Sequence, residues 1–134
     1  MIVTEQYPRG LGNTIPEVAG LLSGAGITEK MCFSCYGDEN FQIKLKSRGR
    51  KQVLVTGIEA HVCVYQTVAD LIKEGYEVEV VADCVSSRTR ENKEMALEKM
   101  KALGAGITSV EIILFELLKT ADSEHFKEIS QIVK

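Results

Sequence analysis

The chain has 134 residues, which is enough for one domain around one hydrophobic core. Hydrophobic residues make up 45% and charged residues 26% of it, an ordinary globular composition, and no apolar run reaches the length of a membrane span. The net charge of −3 argues against a nucleic-acid partner, and four cysteines among βα units suggest reduced thiols. We therefore expect a cytoplasmic protein that binds neither nucleic acid nor membranes.

The beginning of the chain predicts a strand, a loop and a short helix. Met1–Thr4 is strand-like, whereas Glu5–Asn13 is rich in turn-forming residues and is expected to form a loop at a sheet edge. Thr14, or Asn13 before it, can cap a short helix with Pro16 in its first turn. The side chains of this helix that should face inward are Val18, Leu21 and Leu22.

The segment Ile27–Tyr36 predicts a short strand followed by a loop that contains Lys30 and two cysteines. A lone lysine in a loop is most simply a solvated charge. Cys32 and Cys35 have the CxxC spacing of redox motifs, but such a motif normally opens a helix, and here Gly37 follows at once. Redox chemistry is therefore a distant alternative, and a zinc site lacks the further ligands it would need.

The stretch Gln52–Asp83 predicts a strand–helix–strand unit of a parallel sheet, and a polar helical segment around Phe41–Leu45 precedes it. The apolar run Val53–Val55 forms the first strand, and Val78–Ala82 forms the second. Between them, apolar residues recur at helical spacing and should share one buried face. These residues are Ala60, Val64, Val68, Leu71 and Ile72.

Cys63 lies in the first turn of the predicted helix, just beyond the carboxyl end of a strand. Ligands and chemistry collect at that edge in open α/β sheets. The helix dipole and free backbone N–H groups there favour a thiolate and can hold an oxyanion. The alternative is a buried, unreactive cysteine on the apolar side of the helix.

After a loop over Cys84–Ser87, the sequence predicts another helix, capped by Ser87 or Thr89. The glycines of Gly104–Gly106 end this helix, and Ile107–Thr108 forms a short last strand. The buried stripe of the helix should consist of Met95, Ala96, Met100 and Leu103.

Two more helices are predicted after the short last strand. Ser109 caps an apolar helix over Val110–Leu118, in which Glu111 suits the positive end of the helix dipole. Asp122 or Ser123 starts the final amphipathic helix. Its inward residues should be Phe126, Ile129 and either Ile132 or Val133.

Five groups of short motifs follow one another along nearly the whole chain. They are Thr4-Glu5-Gln6-Tyr7-Pro8 with Gly10-Leu11-Gly12, Glu29-Lys30 with Cys32-Phe33-Ser34, Gly57-Ile58-Glu59-Ala60 leading to Cys63, Asp83 with Ser86-Ser87-Arg88, and Phe126-Lys127-Glu128-Ile129. In this order and spacing, they resemble the isochorismatase-like cysteine hydrolases, particularly the isochorismatase-domain-containing branch.

The resemblance implies an α/β fold: a three-layer α/β/α, Rossmann-like domain with a parallel sheet of order 3-2-1-4-5-6. Residues 1–134 would form a single domain of this kind that is incomplete at its N-terminus, because the first family strand has no counterpart here. That strand would lie in the middle of the sheet. We therefore expect a fragment of the fold, a strand Met1–Thr4 that pairs directly with Val53–Thr56, or a strand from outside that fills the gap.

The resemblance also implies a catalytic set of an aspartate, a lysine and a cysteine. Cys63 matches the nucleophile and Lys30 matches the lysine, whereas the family aspartate lies on the missing strand and Asp83 does not replace it. The family has a cis peptide a few residues before its cysteine. Here this would be the bond between Ile58 and Glu59, with the N–H groups of Glu59 and Cys63 as an oxyanion hole.

The function implied is hydrolysis of an amide or related C–N bond in a small polar molecule, in which Lys30 favours the thiolate and a carboxylate takes the thiol proton. Without the family aspartate, the chain would need an acid from elsewhere; the alternative is a non-catalytic α/β binding or assembly module. Glu5, Gln6 and Tyr7 are candidates for the substrate pocket. That loop carries no histidine, so we predict no metal, and no cofactor is implied. His61 is expected at the pocket rim or in solvent, and we expect a homo-oligomer.

Overall fold

The computed structural model describes residues 1–22 and 24–133. The five strands are β1 (Val3–Gln6), β2 (Ile27–Lys30), β3 (Gln52–Ile58), β4 (Glu77–Ser86) and β5 (Gly106–Thr108). The α-helices are α1 (Pro8–Leu11), α2 (Pro16–Ala19), α3 (Glu39–Ser47), α4 (Tyr65–Lys73), α5 (Arg90–Ala102), α6 (Val110–Leu118) and α7 (Phe126–Ile132). A 3-10 turn over Cys35–Gly37 precedes α3, and a π-helical turn over Ala60–Val64 precedes α4.

The strands form two parallel sheets, one of order β1-β2 and one of order β3-β4-β5. This arrangement of parallel strands and helices is the α/β fold expected from the sequence. Direct pairing of β1 with β3 was one expected solution, and it is wrong: in the described part of the chain, β1 pairs only with β2 and β3 pairs only with β4. Each of these two strands therefore has one edge without a strand partner among the described residues.

The two sheets are joined through the 3-10 turn and α4. Ser34 Oγ donates a hydrogen bond of 2.5 Å to Asp70 Oδ2 on α4, and the backbone N–H of Cys35 donates to Thr67 Oγ1 at 2.8 Å. On the other side of the turn, Thr4 Oγ1 of β1 lies 3.4 Å from Cys35 Sγ. Side-chain contacts to one turn therefore hold the sheets together where strand pairing does not.

The core lies between the three-stranded sheet and helices α4 and α5. Its most deeply buried side chains are those of Val68, Leu71, Val80 and Met100. On α4 and the turn before it, the predicted apolar stripe is confirmed, because Ala60, Val64, Val68 and Leu71 are buried and Ile72 packs against them.

The stripe predicted for α5 is only half right. Ala96 and Met100, which are one turn apart, are buried in the core. Met95 and Leu103 are 63% and 44% exposed, so their predicted burial is wrong. Helix α5 contacts the core through Ala96 and Met100, with Leu97 packed against them, and Met95 and Leu103 lie outside this contact.

The short helix α2 does not turn an apolar face inward. Val18 and Leu21 are 44% and 82% exposed, against the prediction. With four residues, α2 is barely one turn long and has no face to bury.

The apolar helix α6 also contains no buried residue. Ser109 caps α6, as predicted, by accepting the Ile112 N–H, and Asp83 adds a second cap by accepting the Val110 N–H.

In α7, Phe126 and Ile129 are half-buried, whereas Ile132 is exposed. Within the described ranges 1–22 and 24–133, the helices lack the length and apolar character needed to cross a bilayer.

Candidate functional site

The strand register brings Gln6 and Lys30 together at the carboxyl edge of the first sheet. In the parallel β1-β2 pair, Glu5 lies beside Glu29 and Gln6 lies beside Lys30. Registered residues of neighbouring strands point to the same side of a sheet, so the Gln6 and Lys30 side chains leave the sheet together. Lys30 was expected in a loop; it is instead the last residue of β2.

Lys30 is a buried ammonium group with only 5% of its surface exposed. Its Nζ donates hydrogen bonds to Gln6 Oε1 at 2.6 Å, to the Phe33 carbonyl at 2.8 Å and to the Cys32 carbonyl at 3.0 Å. These three oxygens supply one acceptor for each of the three N–H groups of an ammonium. The environment satisfies the buried charge with oxygen atoms that it holds fixed.

Gln6 connects Lys30 to Cys63. Its Nε2 donates to the Met31 carbonyl at 2.8 Å, which leaves its Oε1 to face Lys30. The same Oε1 lies 3.9 Å from Cys63 Sγ, and the thiol donates toward it. Because an ammonium can only donate and a carbonyl can only accept, these contacts fix the orientation of the amide. Lys30 Nζ and Cys63 Sγ thus both donate toward the same oxygen atom, Gln6 Oε1.

Cys63 reaches this point by way of an unusual connection between β3 and α4. Gly57 has a φ of 114°, a value that suits glycine, and the peptide bond between Ile58 and Glu59 is cis, at the position that the resemblance implies. The chain then enters the π-helical turn instead of a regular first helical turn. Thr67, one turn further on, donates to the Cys63 carbonyl at 2.7 Å. The oxyanion hole of Glu59 and Cys63 stays a prediction.

The electrostatics at Cys63 differ from the sequence-based expectation of a thiolate. Partial burial raises the pKa of the thiol above its ordinary value, whereas the nearby charge of Lys30 and a hydrogen bond from its side chain lower this pKa by less. The neighbouring Cys35 and Glu59 raise this pKa further. Burial disfavours the charged form of a thiol, so the position of Cys63 favours the neutral thiol over the thiolate.

Glu5 lies one residue before Gln6, on the opposite side of the strand, and is 7% exposed. Its carboxylate accepts the Thr14 N–H at 2.7 Å and the Asn13 side-chain amide at 3.1 Å. The hydrogen bonds from Thr14 lower the pKa of Glu5 below 4.5, with Asn13 acting in the same direction. Glu5 was a candidate pocket residue, but in this structure its carboxylate holds the loop after β1.

We expect Glu5→Gln to lower the free energy of unfolding by about 1–2 kcal/mol at neutral pH, because it removes a charged acceptor from two hydrogen bonds. A lowered folded-state pKa stabilises the fold above the unfolded value of 4.5, and this contribution disappears as the pH falls through the lower folded value. Urea unfolding of wild type and variant at several pH values should show their difference shrinking below about pH 4.5.

Glu29→Gln is the matched control for this prediction, since Glu29 occupies the paired position on β2 and is exposed. It should change stability little at any pH. A difference between wild type and Glu5→Gln that stays constant down to about pH 3 would contradict the assigned role of the charge.

An open cleft of about 560 Å³ reaches Lys30 from the surface. Tyr7 and Arg9 line this cleft, and Glu29 and Asp38 contribute acidic groups to it. Tyr7 has a left-handed backbone with a φ of 41°, and a Cβ on Gly10 would overlap its ring, so Gly10 leaves room for the ring. The cleft walls suit a small polar molecule, although Cys63 is not among the residues that line the cleft.

The remaining candidates lie around this centre. His61 is half-buried, and its Nδ1 is 3.0 Å from Ser87 Oγ, away from the contacts of Lys30. Glu59 pairs with the exposed Arg88 at 2.9 Å. All four cysteines are free thiols. Across the described residues, no group of three or more His, Cys, Asp and Glu side chains is arranged to hold a metal ion.

Sequence reasoning missed the role of Gln6 as the link between Lys30 and Cys63, and it missed Thr67 altogether. The available signal for Thr67 was its position four residues after Cys63, where a hydroxyl can bond to the carbonyl one turn earlier. No local pattern could have placed Gln6 against Cys63, because the two are 57 positions apart.

Comparisons with known proteins show which family this chain resembles. The family model of the isochorismatase domain matches residues 9–112. The chain is 44% identical over its whole length to the secreted isochorismatase effector Isc1 of Phytophthora sojae, of which it covers 66%. It is 42% identical to isochorismatase domain-containing protein 1 of Danio rerio, of which it covers 47%. The chain thus spans between about half and two thirds of the length of these curated relatives.

Solved structures give the same result. The MAR1 ribonuclease of Caenorhabditis elegans superposes with a TM-score of 0.88 at 39% identity, covering 98% of this chain and 68% of that one. YcaC of Pseudomonas aeruginosa, whose structure is described with hexane-2,5-diol and covalent acrylamide, also gives 0.88, at 26% identity and with 96% and 65% coverage. With its parallel sheets, its site at their carboxyl edge and these relatives, the chain belongs to the isochorismatase domain family.

Proposed function

We propose that this domain is part of a cysteine hydrolase that cleaves the amide or a related C–N bond of a small polar molecule. The observation that carries the proposal is the meeting of Lys30 Nζ and Cys63 Sγ at Gln6 Oε1, 2.6 Å and 3.9 Å away respectively. A sulfur nucleophile with an adjacent cation, at the carboxyl edge of a parallel sheet, is an arrangement suited to acyl transfer.

In the proposed reaction, the Cys63 sulfur forms a bond to the carbonyl carbon of the substrate and the C–N bond breaks. A carboxylate takes the thiol proton and passes it to the leaving nitrogen, which departs as ammonia or an amine. Water then cleaves the thioester, which releases a carboxylic acid and restores the thiol. Because no carboxylate hydrogen-bonds to Cys63 or Lys30 in the described part of the chain, we propose that this group comes from outside these residues.

The alternative function is a non-catalytic binding or assembly module that retains the cleft. Two observations favour it: burial raises the pKa of the Cys63 thiol, and three oxygen atoms compete with the sulfur for the N–H groups of Lys30. The two functions differ in whether Lys30 influences attack by Cys63. A hydrolase needs this influence, and a binding module does not.

Acrylamide, a small amide that reacts with thiols, is a suitable probe of the proposed site. The rate of modification at Cys63, followed by peptide mass spectrometry, should level off with acrylamide concentration, because a hydrolase binds its amide beside the sulfur before attack. The exposed thiol of Cys84 supplies an internal control with a linear dependence. We expect Lys30→Gln to lower the limiting rate at Cys63 by about tenfold, the effect of one pKa unit.

Lys46→Gln, an exposed lysine on α3, is the control substitution and should leave the limiting rate unchanged. A saturating rate that is insensitive to Lys30→Gln would favour the binding module. A linear dependence at Cys63, like that at Cys84, would show that no amide site adjoins the sulfur and would remove the basis of the hydrolase proposal.

Other aspects of function stay predictions. We infer a small-molecule ligand, since the acidic composition gives no support for RNA, although the C. elegans neighbour is described as a ribonuclease. Self-association also stays a prediction, and the apolar helix α6, with no buried residue, is the surface that best supports it. The cytoplasmic location is untested, and the Phytophthora relative is described as secreted.

A further inference from the structure

The three bonds of Lys30 have a consequence for the chemistry of Cys63. Gln6 Oε1, the Cys32 carbonyl and the Phe33 carbonyl each accept one N–H of the ammonium, so a hydrogen bond from Lys30 to the sulfur must compete with these three oxygens. The two carbonyls belong to the backbone of the segment that follows β2, and they move only with that segment. Gln6 is the one acceptor of the three that is a side chain.

Gln6 acts on the thiol from a second direction. Its Oε1 accepts from the Cys63 S–H at 3.9 Å, a weak contact that favours the protonated form of the sulfur over the thiolate. Replacing Gln6 with an apolar residue would remove this acceptor and release one N–H of Lys30. Both changes favour the thiolate, so their effects on the sulfur have the same sign.

We propose that Gln6 is a positioning residue that competes with Cys63 for one N–H of Lys30 and so holds the nucleophile in its resting, protonated state. This inference deepens the proposed function, because it identifies the group that must yield before Lys30 can donate fully to a thiolate. The Nε2 contact to the Met31 carbonyl keeps the amide oriented for this competition.

The fixed orientation also explains why glutamine suits the position. Gln6 needs an acceptor for the ammonium and a donor for the Met31 carbonyl at the same time. A glutamate would present acceptors to both and would add a negative charge beside Lys30. We therefore expect Gln6→Glu to hold Lys30 more firmly and to disfavour the thiolate, and Gln6→Met to do the opposite.

The test is the rate of alkylation of Cys63 by iodoacetamide as a function of pH, resolved at each cysteine by peptide mass spectrometry. We expect Gln6→Met to label about threefold to tenfold faster than wild type near neutral pH, which corresponds to half to one pKa unit. Gln6→Glu should label more slowly than wild type. In a Lys30→Gln background, the gain from Gln6→Met should largely vanish, because the ammonium group for which Gln6 and Cys63 compete is then absent.

Two results would overturn the inference. One is equal or slower labelling of Gln6→Met, and the other is a gain that persists in the Lys30→Gln background, which would reflect general loosening of the site. Cys84 labelling in the same samples corrects for differences in reagent. The experiment needs no turnover, so it can fail while acrylamide saturation holds, and it can succeed while that saturation is absent.

Discussion

Lys30→Met is expected to lower the free energy of unfolding by about 2 kcal/mol. The substitution keeps most of the length of the side chain and removes the ammonium that donates to Gln6 Oε1 and to the carbonyls of Cys32 and Phe33. Each acceptor left without a partner in a buried site costs about 1–3 kcal/mol, whereas the variant no longer bears the desolvation cost of the charge. The first effect is the larger, because Lys30 has oxygen partners on three sides.

Urea unfolding followed by circular dichroism measures this difference. Lys46→Met is the control, because Lys46 is an exposed lysine on α3, and it should change stability by less than about 0.5 kcal/mol. A Lys30→Met variant as stable as wild type would mean that water reaches the three oxygens and that Lys30 is not held in the geometry on which the site depends.

Leu71→Ala should destabilise the fold more, by about 3–5 kcal/mol. Leu71 has no exposed surface and lies on α4, in the core between this helix and the three-stranded sheet. Alanine suits a helix at least as well as leucine does, so the loss is one of packing and of the cavity left behind. Chemical denaturation should show a lower midpoint, with a slope close to that of wild type.

Leu117→Ala makes the same change at a helical position that is 74% exposed, and it should cost less than about 1 kcal/mol. Similar losses for both variants would show that α6 is covered in solution to the same degree as the core. The large effect at Leu71 also bears on the site, because α4 carries Thr67 and Asp70, which hold the 3-10 turn.

The order and type of most elements could be predicted from the sequence, because local patterns encode them. The helix cap at Thr89 and the alternation of strands with helices follow from residue type and spacing. The buried stripe of α4 could be predicted equally well, because the apolar face of an amphipathic helix packs against the core. The motifs around Lys30 and Cys63 likewise allowed the family to be named.

The structure corrected predictions that depended on neighbours. Met95 and Val18 were assigned to buried faces, yet both side chains are exposed. Burial of a side chain depends on what packs opposite, and the residue's own helix does not carry this information. For the same reason, the pairing of β1 could not be predicted from its sequence, because the residues of a strand do not identify the strand that lies beside it.

The sequence by itself determined the family, the chain order of the elements and the two residues proposed for the chemistry, because these are written in local patterns of residue type. Only the tertiary structure decided that Gln6 stands between Lys30 and Cys63, and that burial outweighs the lysine charge at the sulfur. Both depend on distances between segments far apart in the chain. Hydrogen bonding and desolvation act through space, so they appear only once the strands and α4 have packed.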